Sequence, residues 1–306
     1  TQVSELAVER AKRLVEMGET VRVLDDFSSG KRDNLMSVAS EIDIVEGDIR
    51  NLDDCLGACR DIEIVFHEAA IPSVPKSVDE PMASHNANIN GTFNVLTAAR
   101  ERKCRRVVYA ASSSVYGDAE VSPKHEKLVP DPLSPYAVQK HAGELYGRAF
   151  FECFGLEMMS LRYFNVFGPG QDPASQYAAA IPAFVTAILA DESPVVYGDG
   201  EQTRDFTFID NVVHGNVLAA QADRTCGQSV NVACGERISV NDVISRINVV
   251  LGKDVKPRYV PARKGDVKHS QADITLAKSL IGYEPRVGFD EGLRRSIDYY
   301  TSIAVS

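Results

Sequence analysis

A run of apolar residues that ends in three consecutive hydroxyls constrains the fold of this chain more than any other stretch. Residues 106–111 read Arg-Val-Val-Tyr-Ala-Ala, and Ser112, Ser113 and Ser114 follow at once. Residues 62–67 form a second run of continuous apolar character. Such runs are typical of parallel strands that helices cover on both faces, and side chains at the carboxyl ends of those strands point into the ligand crevice. The sequence therefore predicts an open α/β sheet with the serines at its binding edge.

Tyr136 and Lys140 follow downstream of the serines, at the start of a segment of helical composition, residues 137–151. Positions four apart share one face of a helix, so we expect the Lys140 ammonium beside the Tyr136 ring. A nearby cation favours the phenolate and lowers the pKa of a tyrosine, which suits it for general-base work near neutral pH. The spacing alone also arises by chance, and the upstream hydroxyls are what indicate a catalytic set of Tyr136, Lys140, Ser112 and Ser113.

The composition narrows the classes of function. The 306 residues include 33 basic and 43 acidic side chains, and the net charge of −10 argues against a nucleic-acid partner. No apolar run reaches the roughly 18 residues needed to span a bilayer, and no signal-peptide pattern opens the chain. We therefore expect a soluble, cytoplasmic protein without a membrane partner. The six cysteines form neither a Cys-x-x-Cys pair nor a disulfide framework, which predicts free thiols and no metal site.

The beginning of the chain carries features of a dinucleotide site. Residues 5–17 form an amphipathic helix closed by Gly18, and residues 20–24 form a strand that ends at Asp25 and Asp26. An acidic residue at this point hydrogen-bonds the hydroxyls of an adenine ribose and repels a 2′-phosphate, which favours NAD over NADP. The alternative is a pair of aspartates that caps the loop.

Two later positions point the same way. Ala69 and Ala70 follow the second apolar strand, where small side chains let a flat cofactor approach the backbone. Asn88 is one of three asparagines within a helix predicted over residues 84–102. Asparagine is unfavourable inside a helix, so at least one of the three is expected to serve another purpose.

The order of elements predicts the architecture. Strands and helices alternate up to residue 165, and beyond it the alternation becomes irregular. We predict a Rossmann-type, doubly wound parallel sheet in an NAD-binding domain over residues 1–165. A smaller, mixed α/β substrate lobe covers residues 166–306, with some return crossing to the first domain. The ligand should lie between the two.

A series of short motifs resembles the extended short-chain dehydrogenase/reductase family, and within it the nucleotide-sugar 4-epimerases that act on UDP-hexoses. The motifs follow the family's order and cover the chain from about residue 8 to its end. They are Leu24-Asp-Asp-Phe, Gly47-Asp48, His67-Glu-Ala-Ala70, Asn88-Ile-Asn-Gly-Thr92, Ser112-Ser-Ser-Val-Tyr-Gly117, Tyr136-x-x-x-Lys140, Arg162-Tyr-Phe-Asn165, Gly198-Asp-Gly200, Arg204-Asp-Phe206 and Arg263-x-Gly-Asp266.

The resemblance implies NAD as cofactor and a UDP-sugar as substrate. The residues it assigns to NAD are Asp25 and Asp26 at the adenosine ribose, Asp48 and Ile49 at the adenine, Ala69, Ala70 and Asn88 along the dinucleotide, and Tyr136, Lys140 and Tyr163 at the nicotinamide end. The residues it assigns to the UDP-sugar are Ser114, Asn165, Tyr197, Arg204, Arg263, Asp266 and Ser270. Two arginines can neutralise a diphosphate by forked hydrogen bonds. For Arg204 and Arg263 the alternative is a solvated surface charge.

The implied reaction is 4-epimerisation through a transient 4-keto sugar. Tyr136 takes the proton of the sugar 4-hydroxyl as hydride moves from C4 to NAD+, and Ser112 or Ser113 donates a hydrogen bond to the same oxygen. The hydride then returns to the other face of the sugar. Ser270 lies four positions after Asp266, where the family gates the space beside the C2 substituent. Its small side chain predicts activity on UDP-GlcNAc and UDP-GalNAc as well as UDP-Glc and UDP-Gal.

The chain departs from the family at its beginning. A glycine-rich turn whose backbone approaches the pyrophosphate should fall at about residues 1–7, and this stretch contains no glycine. The strand that precedes the turn in the family has no counterpart in the sequence. Loss of the native amino terminus, a natural remnant and replacement by another segment are alternative explanations. We expect NAD binding to be weaker than the other motifs imply, and two strand edges to be left unpaired.

Two alternatives to an active 4-epimerase follow. One is a catalytically impaired or silent remnant that binds sugar nucleotides. The other is a nucleotide-sugar 4,6-dehydratase, which is disfavoured because those enzymes carry an acidic pair where this chain has Ser113 and Ser114. The resemblance also implies a homodimer, through a bundle formed by residues 84–102 and 137–151.

Overall fold

Strands and helices alternate along the part of the chain that the computed structural model describes, residues 2–28, 30, 32–171, 180–262 and 267–304, with side chains from residue 6 onward. The helices are α1 (Gln2–Glu16), α2 (Leu52–Ala58), α3 (Val74–Asp79), α4 (Pro81–His85), α5 (Gly91–Glu101), α6 (Pro135–Phe154), α7 (Ala180–Leu189), α8 (Ile209–Gln221), α9 (Val240–Leu251), α10 (Thr275–Ile281) and α11 (Phe289–Ala304). The strands are β1 (Val21–Asp25), β2 (Ile42–Glu46), β3 (Ile64–His67), β4 (Arg106–Ser112), β5 (Glu157–Tyr163), β6 (Val166–Phe167), β7 (Val195–Tyr197), β8 (Thr203–Arg204), β9 (Thr207–Phe208), β10 (Gln228–Val232), β11 (Ile238–Ser239) and β12 (Arg258–Val260).

A four-stranded parallel sheet with the order β10-β5-β4-β3 forms the centre of the molecule. Alternate residues of a strand face opposite sides of its sheet. Val107, Tyr109 and Ala111 on β4 accordingly join a core with α5 and α6, while Val108 joins a second core with α8. Burial on both faces explains why this stretch reads as a continuous apolar run. The predicted parallel α/β sheet of Rossmann type is confirmed.

β1 and β2 form a separate parallel pair. Among the described strands, no ladder joins β1 to β3, so β3 is an edge of the central sheet. α1 packs against β1 and against α8, and α2 also packs against β1. The sheet is therefore in two pieces, and helices connect them.

The second half of the chain returns to the central sheet. β10 pairs with β5, and α8 covers one face of β4 and β5. One core cluster extends from Val108 on β4 to Phe184 on α7 and Ile244 on α9. The lobe predicted from residue 166 onward thus shares a core with the sheet, and a division into two domains at that point stays a prediction. Three short strand pairs, β6 with β9, β7 with β12 and β8 with β11, also belong to this lobe.

Several local expectations can be compared with the elements. Gly18 follows α1 with a φ of +81°, as its predicted role at the helix end requires. The spacing of Ser239 and Asp242 predicts a helix that begins with a capping box, and both bonds of that box are present at the start of α9. The single helix expected over residues 84–102 is instead α4, a π-helical turn at Asn86–Asn90 and α5. Among the described helices, none is long and apolar enough to cross a membrane.

Candidate active site

Tyr136 and Lys140 lie in the first turns of α6, which the local sequence fixes in place. The Ser134 hydroxyl accepts a hydrogen bond from the amide of Ala137 and so caps the helix, and Pro135 suits the first helical position. The Lys140 side chain is buried, and its Nζ lies 6.0 Å from the centroid of the Tyr136 ring. The predicted pairing of the two side chains on one helix face is therefore observed.

Two glycines let α6 lie directly on the central sheet. A Cβ atom on Gly143 would lie 2.4 Å from Oη of Tyr109 on β4, and one on Gly147 would lie 2.3 Å from Sδ of Met158 on β5. This close approach brings Lys140 Nζ within 2.8 Å of the carbonyl oxygen of Ala110, to which it donates a hydrogen bond. The helix is thus held at a fixed depth on the strand that carries the serines.

The electrostatics of the pair differ from the expectation. Burial raises the pKa of Tyr136 to about 12, and a hydrogen bond with Ser112 opposes this only in part. Burial also lowers the pKa of Lys140 to about 8, against the charge of Glu68. The ammonium bonds the carbonyl of Ala110 rather than the phenol, so the predicted lowering of the Tyr136 pKa is wrong for this arrangement. Tyr136 is a neutral phenol here at neutral pH.

The three serines form the turn that follows β4. Ser112 caps a 3-10 turn over Ser113–Tyr116, and its Oγ accepts from the amide of Ser114 at 3.2 Å. The same hydroxyl also meets Tyr136. Ser114 Oγ is buried and has no hydrogen-bond partner within the described residues. A buried hydroxyl without a partner is costly, so its presence at the carboxyl edge of β4 fits a site completed by a polar ligand.

A buried polar network ties α6 to the segment that follows β3. Asn88, in the π-helical turn, accepts from the amide of Ile71 at 2.7 Å and donates to the carbonyl of Ile71 at 3.1 Å. Its amide also donates to Oε1 of Gln139 at 2.8 Å. The hydroxyl of Ser77 accepts from the amide of Tyr136 at 3.1 Å. Asn88 thus holds the segment that begins at Ala70, and this clamp is the additional purpose that its place in a helix indicated.

Sequence reasoning missed Glu68, Gln139 and Ser77. Glu68 directly follows β3 and is buried, where it forms an ion pair with Arg10 of α1. Burial raises the pKa of its carboxyl group. Glu68 stands inside the quoted His67 motif, and a charged residue directly after an apolar strand was the signal that could have identified it. Gln139 and Ser77 offered no comparable signal, since both are ordinary polar residues of helices.

The adenosine side of the predicted site lies at the ends of β1 and β2. Asp25 Oδ1 accepts from the amide of Phe27 at 2.7 Å, and Asp26 Oδ1 accepts from the amide of Ser28 at 2.9 Å. Both aspartates therefore cap the loop, as the alternative interpretation had it, and each uses one carboxylate oxygen for these bonds. Burial raises the pKa of Asp25.

Asp48 and Ile49 follow β2, close to this loop. Arg50, which sequence reasoning missed, donates to both carboxylate oxygens of Asp48, from Nε at 2.9 Å and 2.7 Å. This hydrogen bonding lowers the pKa of Asp48. Nη2 of Arg50 also lies 3.8 Å from Oδ2 of Asp26. The carbonyl of Ile49 accepts from Nδ2 of Asn94 at 2.9 Å, which joins this loop to α5.

The residues predicted to hold the UDP-sugar come from separate parts of the chain. Asn165 follows β5. Tyr163, predicted at the nicotinamide end of NAD, is the last residue of β5, and its hydroxyl is hydrogen-bonded with Asn216 of α8. Arg204 and Ser270 are neighbours, because the amide of Ser270 donates to the carbonyl of Thr203 at 3.1 Å. Tyr197 ends β7 and is 38% exposed. Arg263 and Asp266 lie outside the described residues.

The described groups fit NAD at both of its ends. An acidic pair stands at the end of β1, where Asp25 and Asp26 can accept from ribose hydroxyls. At the other end Lys140 uses one of its three N–H donors to bond the carbonyl of Ala110 and retains two for a ribose hydroxyl. The small residues Ala69 and Ala70 follow β3. The stretch expected at the pyrophosphate lies in α1, where side chains are described from residue 6 onward.

Comparisons with known proteins identify the family of the chain. A model of the NAD dependent epimerase/dehydratase family matches residues 9–233. The chain is 35% identical over 293 residues to the UDP-glucose 4-epimerase of Mycolicibacterium smegmatis, which covers 94% of this chain and 93% of that protein.

Two solved structures are similar over nearly their whole length. The UDP-N-acetylglucosamine 4-epimerase of Methanobrevibacter ruminantium, in complex with UDP-N-acetylmuramic acid, matches with a TM-score of 0.93 and 38% identity over 97% of this chain and 95% of that chain. The UDP-glucose 4-epimerase of Thermotoga maritima, with UDP-glucose, matches with a TM-score of 0.93 and 33% identity over 98% and 96%. The family model covers most of the chain, and the fold and the Tyr136 and Lys140 pair are consistent with it. The chain therefore belongs to the NAD dependent epimerase/dehydratase family and uses NAD as its cofactor.

Proposed function

We propose that the chain catalyses the NAD-dependent 4-epimerisation of a UDP-hexose. The observation that carries this proposal is the meeting of Tyr136, Lys140 and the Ser112 hydroxyl at the carboxyl end of β4. The M. smegmatis relative is a UDP-glucose 4-epimerase, and the Methanobrevibacter structure is a UDP-N-acetylglucosamine 4-epimerase. Relatives named as UDP-glucuronate 4-epimerases and decarboxylases also match, so the choice of sugar is part of the proposal.

The chemistry would divide between the cofactor and three side chains. When bound, NAD would supply the hydride-transfer chemistry at C4 of the sugar. Tyr136 receives the proton of the 4-hydroxyl and gives it back, while Ser112 hydrogen-bonds the same oxygen and holds it at the phenol. Lys140 holds the start of α6 against β4 through its hydrogen bond to the carbonyl of Ala110.

The high pKa of Tyr136 sets a condition on this mechanism. A phenol with a pKa of about 12 is a poor base at neutral pH, so the pKa must fall in the complex that reacts. Among the described cations, Lys140 is placed to lower the pKa of Tyr136. Its Nζ lies 6.0 Å from the centroid of the Tyr136 ring and retains N–H donors beyond the one that bonds Ala110. A move of Nζ from the carbonyl toward the phenol would favour the phenolate.

The substrate range follows from Ser270. Its amide is fixed by the carbonyl of Thr203, and its side chain is only a hydroxymethyl group. A small side chain at this point supports acceptance of the N-acetyl group of UDP-GlcNAc and UDP-GalNAc, in addition to UDP-Glc and UDP-Gal. Ser113 and Ser114 begin a 3-10 turn without a carboxyl group, which favours epimerisation over 4,6-dehydration.

A homodimer is also proposed, through α5 and α6. Apolar side chains on these helices are exposed in the single chain: Phe93 is 43%, Leu145 is 58% and Phe154 is 54% exposed. Exposed apolar side chains grouped on neighbouring helices are typical of an interface between subunits. Light scattering on the unchanged protein and on Leu145→Glu tests this, and a monomer in both samples would contradict it.

The experiment that tests the function combines two measurements on the purified protein. Cofactor is released with acid and quantified, and 4-epimerase activity is followed on UDP-Glc and UDP-GlcNAc with and without added NAD. The proposal predicts turnover of both sugars that depends on NAD and is lost in Tyr136→Phe. Turnover of UDP-Glc alone would contradict the role of Ser270. Absence of NAD binding and of turnover, even with added NAD, would contradict the enzyme and support a silent remnant.

A further inference from the structure

The carboxylate of Asp205 joins three separate segments of the substrate lobe. Its Oδ1 accepts from the amide of Cys234, and its Oδ2 accepts from the amides of Gly235 and Ala272, each at 3.0 Å. The side chain is completely buried, and no described cation forms an ion pair with it. A buried carboxylate is costly unless hydrogen bonds compensate it, so these three amides are what keep it in place.

The backbone of Asp205 contacts a fourth segment. Its carbonyl accepts from Nδ2 of Asn165 at 3.2 Å, and the amide of Thr207 donates to the carbonyl of Asn165, also at 3.2 Å. Asn165 has a φ of +30°, in the left-handed region that residues with side chains rarely adopt. A conformation of this kind persists only where the surroundings impose it. Here the two hydrogen bonds that join Asn165 to Asp205 and Thr207 hold the positive φ of Asn165.

Further bonds lock the segments to each other around Asp205. The amide of Ser270 donates to the carbonyl of Thr203 at 3.1 Å, and Nε2 of Gln271 donates to the carbonyl of Gly235 at 2.7 Å. Nη1 of Arg204 donates to the carbonyl of Thr203 at 2.9 Å. Asn165, Arg204 and Ser270, which come from three distant parts of the chain, are therefore positioned by one junction.

We propose that Asp205 is a positioning residue for the nucleotide sugar, and that its carboxylate fixes Asn165, Arg204 and Ser270 in a single binding arrangement. The inference rests on the proposed function, because these three residues are its substrate contacts. An isosteric amide cannot replace the carboxylate: its one oxygen can serve the amides of Gly235 and Ala272, but its NH2 group then faces the N–H of Cys234. Burial raises the pKa of Asp205 to about 6, so the group is still ionised at neutral pH.

The test compares Asp205→Asn with the unchanged protein and with Asn248→Ala. The control removes the two hydrogen bonds between the Asn248 side chain and the backbone of Val255, and so destabilises the same lobe without touching the segments that Asp205 joins. We expect Asp205→Asn to raise the KM for UDP-Glc and the Kd for UDP by about tenfold or more, with kcat changed by less than about threefold. Bound NAD per chain should not change. Hydrogen exchange should become faster at the amides of Cys234, Gly235 and Ala272.

Equal UDP affinity in Asp205→Asn and the unchanged protein would overturn the inference alone. A loss of UDP affinity in Asn248→Ala as large as in Asp205→Asn would also overturn it, since general loosening of the lobe would then suffice. Failure of the unchanged protein to bind UDP would overturn the proposed function and this inference together. If Asp205→Asn does not fold, Gln271→Ala loosens the same two segments from outside the carboxylate, and an unchanged Kd for UDP in that variant would count against the junction.

Discussion

The ends of β4 and β1 carry the residues that we propose for opposite ends of the same cofactor, yet the two ends are built in different ways. β4 is buried along its length up to Ser112, and α6 is pressed against it through Gly143 and Gly147. β1 is buried only at its first residue, and its acidic pair sits in a loop that caps itself. The proposed reacting groups are therefore fixed by close packing, whereas the proposed adenosine contacts depend on surface turns. Substitutions at the two ends should therefore differ in kind.

The largest effect is expected from Tyr136→Phe. Loss of the phenol removes the proton acceptor, which is worth about 10²- to 10⁴-fold in kcat, while the ring and its packing remain. Steady-state turnover with saturating NAD and thermal unfolding measure the two consequences. Tyr299→Phe, on the exposed face of α11, is the matched control and should keep full activity. Equal losses in both variants would remove the distinction between the site and the surface.

The next effect concerns pH and the buried lysine. The pKa of Lys140 is about 8 in the folded protein against an ordinary 10.5, so between these pH values the unfolded chain binds the proton and the folded chain does not. The free energy of unfolding should therefore rise with pH from about 8 to about 10.5, on the order of 3 kcal/mol relative to Lys140→Met. Below pH 8 the difference should be constant. Chemical denaturation of both proteins from pH 7 to 11 checks this, and parallel curves would contradict the low pKa.

Alanine substitutions at one glycine of α6 and one of α2 should change the free energy of unfolding in opposite directions. Gly143→Ala forces a Cβ against the Tyr109 ring and should destabilise by about 1–3 kcal/mol, with a loss of activity because α6 must lift from the sheet. Gly57→Ala, on α2 beside β1, meets no atom within 4 Å and should stabilise by roughly 0.5–1 kcal/mol. Urea denaturation measures both. Destabilisation of equal size in the two variants would show that the packing difference has no energetic content.

The smallest effect is expected at the end of β1. Asp25→Asn keeps an oxygen for the amide of Phe27 and removes a half-buried charge that the fold disfavours, so folding stability should change by less than about 0.5 kcal/mol. Repulsion of a 2′-phosphate is lost, and the preference for NAD over NADP should drop by roughly tenfold. Calorimetric titration with both cofactors tests this against Asp43→Asn, whose carboxylate bonds the guanidinium of Arg22. An unchanged ratio would make Asp25 a loop cap only.

Much of the fold and the reacting groups could be predicted from the sequence because those features are local. The run at residues 106–111 and the spacing of Tyr136 and Lys140 need only strand alternation and the helical repeat. The capping box at Ser239 is equally local, and the structure contains it. Strand alternation, helical spacing and helix capping depend on residues close together in the sequence, so they can be predicted without knowledge of the tertiary structure.

The rest depends on contacts that no spacing encodes. Lys140 Nζ points to the carbonyl of Ala110, 30 residues away. The pKa of Tyr136, which was predicted to be lowered by the lysine, is therefore raised by burial. The clamp from Asn88 to Gln139 spans 51 residues. The role of Asp205, inside a quoted motif, becomes visible only when the amides of Cys234 and Ala272 are seen around it.

The π-helical turn at Asn86–Asn90 limits how this gene can change in length. Its bond from the amide of Gly91 to the carbonyl of Asn86 encloses one residue more than an α-helical turn. Deletion of a single codon there would restore an uninterrupted α-helix whose flanking residues keep their faces, but it would remove the extra residue that lets Asn88 reach the backbone of Ile71. Ile71 would then lose both hydrogen bonds to the Asn88 amide. The helix would become more regular, while the segment after β3 would lose the bonds that hold it beside the candidate site. We therefore expect in-frame deletions in this turn to impair the enzyme without unfolding it.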